Sequence, residues 1–164
     1  MRPVYRARQF GSHLFARVST DERKAAHDLL PPRAAIVFDR MPVADQRHAL
    51  DVVARLRASG QTDRDLLAAA LLHDVGKGAR VRLWHRVVAV LVEAFAPSRL
   101  ARLGSNDPTS WRYPFHLQRH HEALSADAAL AAGCGPRVAS FIMGTADGTD
   151  AQLMAALAAA DGAS

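Results

Sequence analysis

Strict alternation of apolar and polar residues is almost missing from this chain. Apolar residues recur instead at intervals of three and four, as in Val52-Leu56, Leu66-Ala70 and Leu153-Leu157. That period is helical, and the chain is read as all-α. The pattern predicts helices near 19–29, 33–40, 44–58, 63–74, 82–95, 97–103, 115–131, 136–144 and 150–160. Start and stop signals agree with it. Ser19 with Glu22 and Thr62 with Asp65 are spaced as capping boxes, and Thr149 is placed to cap the last helix. Pro31 and Pro32 end one helix and open the next. The stretch from Gly104 to Ser110, with Asn106-Asp107-Pro108, reads as a loop.

A chain of 164 residues has the length of one domain with a sizeable core. Residues 18–164 are read as that domain, preceded by a basic arm at 1–17. The 49% hydrophobic and 23% charged residues are globular proportions. One cysteine, Cys134, excludes a disulfide framework. It lies between glycines, with no partner that would make it a nucleophile. The apolar run Val87 to Val92 meets Glu93 far short of a membrane span. The first residues lack the apolar core of a secretory signal, so a reduced, cytoplasmic protein is expected. The net charge of +5 is concentrated in Arg2, Arg6, Arg8 and Arg17, with no acid before Asp21. A nucleic-acid binder more often spreads its basic residues over a folded face. A solvated arm is therefore the plainer reading, and RNA or DNA contact through the arm is the weaker one.

Chemistry concentrates where helical faces carry polar residues inward. Leu66, Ala70 and Asp74 lie at i, i+4 and i+8, so Asp74 continues an apolar face. A carboxylate there needs a charge partner or a metal. His73 precedes it, and Gly76 and Gly78 let the chain turn and project Lys77. His48 shares a face with Val52 and Leu56; taken alone, it reads as a core histidine bonded to a carbonyl. Asp161 shares a face with Leu153 and Leu157; taken alone, it reads as an acid at a fraying helix end. Taken together, these positions supply two imidazoles and two carboxylates, a mixed N/O set suited to a divalent ion.

That pattern resembles the HD-domain superfamily of metal-dependent phosphohydrolases. His48, His73-Asp74 and Asp161 match its H…HD…D order. His73-Asp74-Val75-Gly76-Lys77 matches its HDIG-type string with a following lysine. The resemblance runs from about Val18 to Asp161. It implies an all-helical core with the metal between helices, held by His48, His73, Asp74 and Asp161. It implies hydrolysis of a phosphate ester by a metal-activated water, with Asp74 and Lys77 in catalytic roles. Lys77 would then be a point charge for phosphate; its alternative is a solvated lysine at a helix end.

Further candidates flank this set. On a helix, Leu117, His121, Leu124 and Ala128 form one face, whereas His116 and His120 share a more polar one. His121-Glu122-Ala123-Leu124-Ser125-Ala126 is similar to the family's H-P-E-x-G-A string, with its proline, glutamate and glycine replaced. His121 and His120 are thus candidates for a second metal or for phosphate, as are Arg80 and Arg82. His116 and His120 could also hold a surface ion. Two-metal relatives carry a further histidine after a stretch like Val138 to Met143, where this chain has Gly144-Thr145-Ala146-Asp147. One divalent ion (Mn, Fe, Co, Ni, Zn or Mg) is therefore expected, and a phosphomonoester over a diester. The substrate expected is a nucleotide or small phosphorylated metabolite. The competing reading is a weak or inactive HD domain that binds nucleotide as a sensor or interaction module.

Overall fold

The computed structural model describes residues 17–78, 105, 107, 109–110 and 113–162. All regular structure among them is helical. The elements are α1 (Thr20–Leu29), α2 (Pro32–Asp39), α3 (Val43–Ala58), α4 (Arg64–Leu72), α5 (Tyr113–Ala131), α6 (Pro136–Met143) and α7 (Ala151–Gly162). Short 3₁₀ turns follow α4 (Val75–Lys77) and precede α7 (Gly148–Asp150). The helices predicted at 82–95 and 97–103, the basic arm before residue 17, and Arg80, Arg82 and His85 lie outside the described residues.

Local chemistry explains most boundaries. Ser19 and Glu22 form the expected capping box: the serine hydroxyl accepts from Glu22 N, and Glu22 Oε2 accepts from Ser19 N at 2.9 Å. Pro32 opens α2, where its missing N–H is no loss. Two expectations are corrected. Asp63, not Thr62, caps α4, and its carboxylate accepts from Leu66 N at 2.9 Å. A charged acceptor at the helix start outcompetes a hydroxyl one residue earlier. Thr149 does not cap the last helix, because it lies within the 3₁₀ turn Gly148–Asp150 that runs directly into α7.

Helix α4 is the centre of the core. Every residue from Leu66 to Leu72 is buried. A helix apolar on all sides has to be surrounded. It packs against α3 and α6, with α7 lying on α3 and α4, while α5 covers the turn after α4 and meets α6. Leu56, Leu66, Leu71, Leu72 and Phe38 are fully buried. Each such side chain contributes roughly 1.5–3 kcal/mol on leaving water. Gln46 fixes the corner between α2 and α3 by donating to Asp39 O (3.1 Å) and Met41 O (2.9 Å). No described helix is long and apolar enough to cross a membrane.

Candidate metal centre

The site lies where α4 ends. His73 closes the helix at its C-cap, and Asp74 leads into the 3₁₀ turn. The two glycines of the turn act differently. Gly78 takes φ +58° with ψ 174°, a positive-φ conformation open essentially to glycine alone. Gly76 needs no unusual φ; it is required for close approach. A Cβ there would stand 2.6 Å from His121 O, 2.8 Å from Leu124 Cβ and 2.8 Å from Ser125 N. The turn is thus pressed onto the backbone of α5. Gly76 N donates to Ser125 Oγ at 2.9 Å, and Ser125 is fully buried.

Four donor atoms from three helices and the turn converge here. His48 Nε2 is 3.3 Å from His73 Nε2 and 2.9 Å from Asp161 Oδ1. His73 Nε2 is 3.4 Å from Asp161 Oδ1 and 3.6 Å from Asp74 Oδ1. A divalent ion with ligands at about 2.1 Å sets neighbouring donors about 3 Å apart. The observed spacings are close to that edge. Asp74 Oδ1 is buried, and its nearest partner is the Lys77 ammonium, with Nζ 2.5 Å away as an ion pair. A buried carboxylate oxygen in that condition suits a cation. The group His48, His73 and Asp74 could hold a metal ion.

The ring of His73 is set by its backbone. Nδ1 lies 2.9 Å from Ala70 O and donates to it, so in the neutral ring Nε2 is the nitrogen that offers a lone pair to the other groups. His48 is aimed from α3, whose next face is tied to α1. There Arg47 donates to Asp51 at 2.9 Å and to Glu22 at 2.5 Å. Asp161 comes from the last turn of α7 and is about half exposed, whereas Asp74 is buried.

Charge balance matches the geometry. Burial pushes the Asp74 carboxyl up, but the positive groups of His73, Lys77 and His48 outweigh it and hold its pKa at about 2. Asp161 is likewise held well below the carboxylate range by His48 and His73, against its own burial. Burial lowers the pKa of His73, yet its bond to Asp161 and the charges of Asp74 and Asp161 raise it overall. Both acids are ready to bind a cation, while His73 must give up a proton to do so.

Of the flanking candidates, His121 reaches the site, with Nε2 3.9 Å from Asp74 Oδ1. His120 is exposed and pairs its ring with His116, centroids 4.5 Å apart. Asp147 is exposed ahead of the turn that opens α7. Cys134 is buried, and burial raises its pKa, which disfavours the thiolate. A cleft of about 160 Å³ opens beside the donors, lined by His73, His121 and Asp161 together with Phe141, Ile142 and Leu157.

Sequence reasoning did not find Ser125 or the Ala70 carbonyl. Ser125 read only as a replaced glycine. Its partner lies 49 residues away, and only the packed turn reveals it. Compared with known proteins, the chain matches no family model, no curated protein and no solved structure.

Proposed function

We propose that this chain is a metal-dependent phosphohydrolase of the HD type, acting on a phosphomonoester such as a nucleotide or small phosphorylated metabolite. One observation carries the reading: His48, His73 and the buried Asp74 bring donor atoms within 4.8 Å of one another from separate elements, and Asp161 contacts both histidines. His48, His73, Asp74 and Asp161 are the residues that would hold the ion. A bound divalent ion supplies Lewis-acid polarisation of a phosphoryl oxygen and lowers the pKa of water.

The protein's own groups do the rest. The Ala70 carbonyl holds His73 in the tautomer that presents Nε2. Lys77, only 13% exposed, places an ammonium at the site as a point charge for phosphate. His121 faces the same oxygen from α5 and is placed to orient the ester or pass it a proton. Phe141, Ile142 and Leu157 give the cleft an apolar part of its lining.

The test combines elemental analysis of untagged protein with turnover of monoesters and diesters supplied with Mn, Co, Ni, Mg or Zn. About one ion per chain and monoester turnover that is lost in Asp74→Asn are expected. Absence of ion uptake and of turnover on every ester would overturn the proposal. A second reading, a domain that holds nucleotide without turnover, is favoured by α5. There the serine that replaces the family's glycine bonds Gly76 instead of a ligand. Nucleotide binding without product would select it.

A further inference from the structure

The cation nearest Asp74 belongs to the chain itself. Lys77 Nζ lies 2.5 Å from Oδ1, the oxygen that also faces His73 Nε2 at 3.6 Å and His121 Nε2 at 3.9 Å. The carboxylate is 1% exposed, so bulk water does little to screen a second positive charge placed beside it. An ammonium and a divalent ion cannot both sit on that oxygen.

The two partners differ in freedom. Asp74 is buried at the head of a turn whose Gly76 is pressed against α5, so its oxygen stays in place. Lys77 has a flexible four-carbon stem, and its ammonium can leave without the backbone moving. Among the described residues, Asp74 is the one carboxylate within 4.0 Å of Lys77. An ammonium displaced from it inside a largely buried site is left without a counter-charge, and an anion restores one.

Resting on the metal-dependent reading above, we infer that Lys77 is a stand-in cation: it holds Asp74 while no metal is bound, and a bound ion releases it to become the phosphate anchor. Metal and phosphate then bind with positive coupling, and linkage makes that coupling reciprocal. An empty site presents a neutralised lysine and has little attraction for phosphate, so the anion is held only where the ion is in place.

The chain's lysine content makes the test direct. Lys24 and Lys77 are its only lysines. Lys24 is 77% exposed and Lys77 13%, so Lys24 serves as an internal standard. Wild-type protein stripped of metal is treated briefly with a lysine acylating reagent, and both sites are quantified by mass spectrometry. The measurement is repeated with Zn or Mn, with inorganic phosphate, and with both; ion uptake is followed by calorimetry. Lys77 should label much more slowly than Lys24 without metal and several-fold faster with metal. Phosphate should slow it again only when metal is present. Lys24 should not respond. An ion that binds while Lys77 labelling stays unchanged would overturn the stand-in role and leave the metal site intact. Failure of any ion to bind would overturn both. In Lys77→Met the ion should bind at least as tightly as in wild type, and phosphate affinity should no longer rise with metal; a phosphate gain that survives would also refute the coupling.

Discussion

Helices α4 and α7 are tied together at both ends, by two clusters of opposite character. At the start of each helix the tie is Arg137, from α6. Its guanidinium grips Asp150 with two bonds of 2.8 Å and reaches Asp63 at 2.9 Å and Asp65 at 3.1 Å. It also stands over the Phe141 ring, 5.0 Å from the centroid. At the far end of both helices are Asp74 and Asp161, among His48, His73 and His121. The Arg137 cluster contains its own permanent cation with its donors directed at carboxylates. The bonds to Asp150, Asp63 and Asp65 raise the arginine's pKa further, so it does not titrate. In the other cluster the buried carboxylate of Asp74 is balanced by the ammonium of Lys77, on a flexible stem, beside the imidazole of His73. The first cluster is closed by a fixed cation, whereas the second includes a group that could hold a metal ion.

The sharpest way to break this contrast is at Asp74. Asp74→Asn should weaken binding of Mn or Ni by at least about 100-fold in calorimetry, since it removes the central donor itself. Arg137→Met should leave that affinity within error; if it falls equally, the two clusters are not separable.

Next comes the seam between the turn and α5. Gly76→Ala drives a Cβ into His121 O and Ser125 N, which are backbone atoms and cannot rotate away. The expected cost is about 1–3 kcal/mol by thermal unfolding. An unchanged Tm would mean that the turn is looser than its packing shows.

Acidity separates the clusters without mutation. In metal-free protein the raised pKa of His73 contributes stability that is complete below the histidine's unfolded value and is lost as pH rises through the folded one. Asp74 contributes the opposite: stability present above its unfolded value and lost as pH falls toward about 2. Metal-free protein should therefore lose Tm as pH rises above about 6.5. Saturating Zn should abolish that loss, because the bound state has no His73 proton left to release as pH rises. A falling Tm in both conditions would disprove ligation by His73.

The smallest effect is expected at Arg137. The guanidinium is 37% exposed, and solvent screens much of its attraction. Arg137→Met should lower Tm by a few degrees, less than Gly76→Ala. Arg137→Lys should recover little of it, because an ammonium cannot match the paired bonds to Asp150.

The helices were legible because each buries a continuous face. The predicted 44–58 and 136–144 differ from Val43–Ala58 and Pro136–Met143 by one residue at an end. The inward placement of Asp74 and the convergence of Asp161 on both histidines were also legible, from spacing and from resemblance to a known pattern. The end of α4 was not. The predicted helix ran to Asp74, whereas the chain leaves the α-helix after Leu72 because the turn must fit against α5. Arg137 was invisible for a related reason. Its partners come from two places far apart in the chain, and no local period marks a residue whose role is to join them. Gly76 read as a turn glycine, because sequence shows a missing side chain without showing what would collide with it.

That missing side chain divides the site into a fixed jaw and a movable one. With no room for one carbon between the turn and α5, Asp74, Lys77 and His121 ride on a single rigid block. Asp161 rides on α7, half exposed near that helix's last turn, and meets the block through the two histidine rings. At the level of the backbone, the α7 side is the one that this seam does not lock.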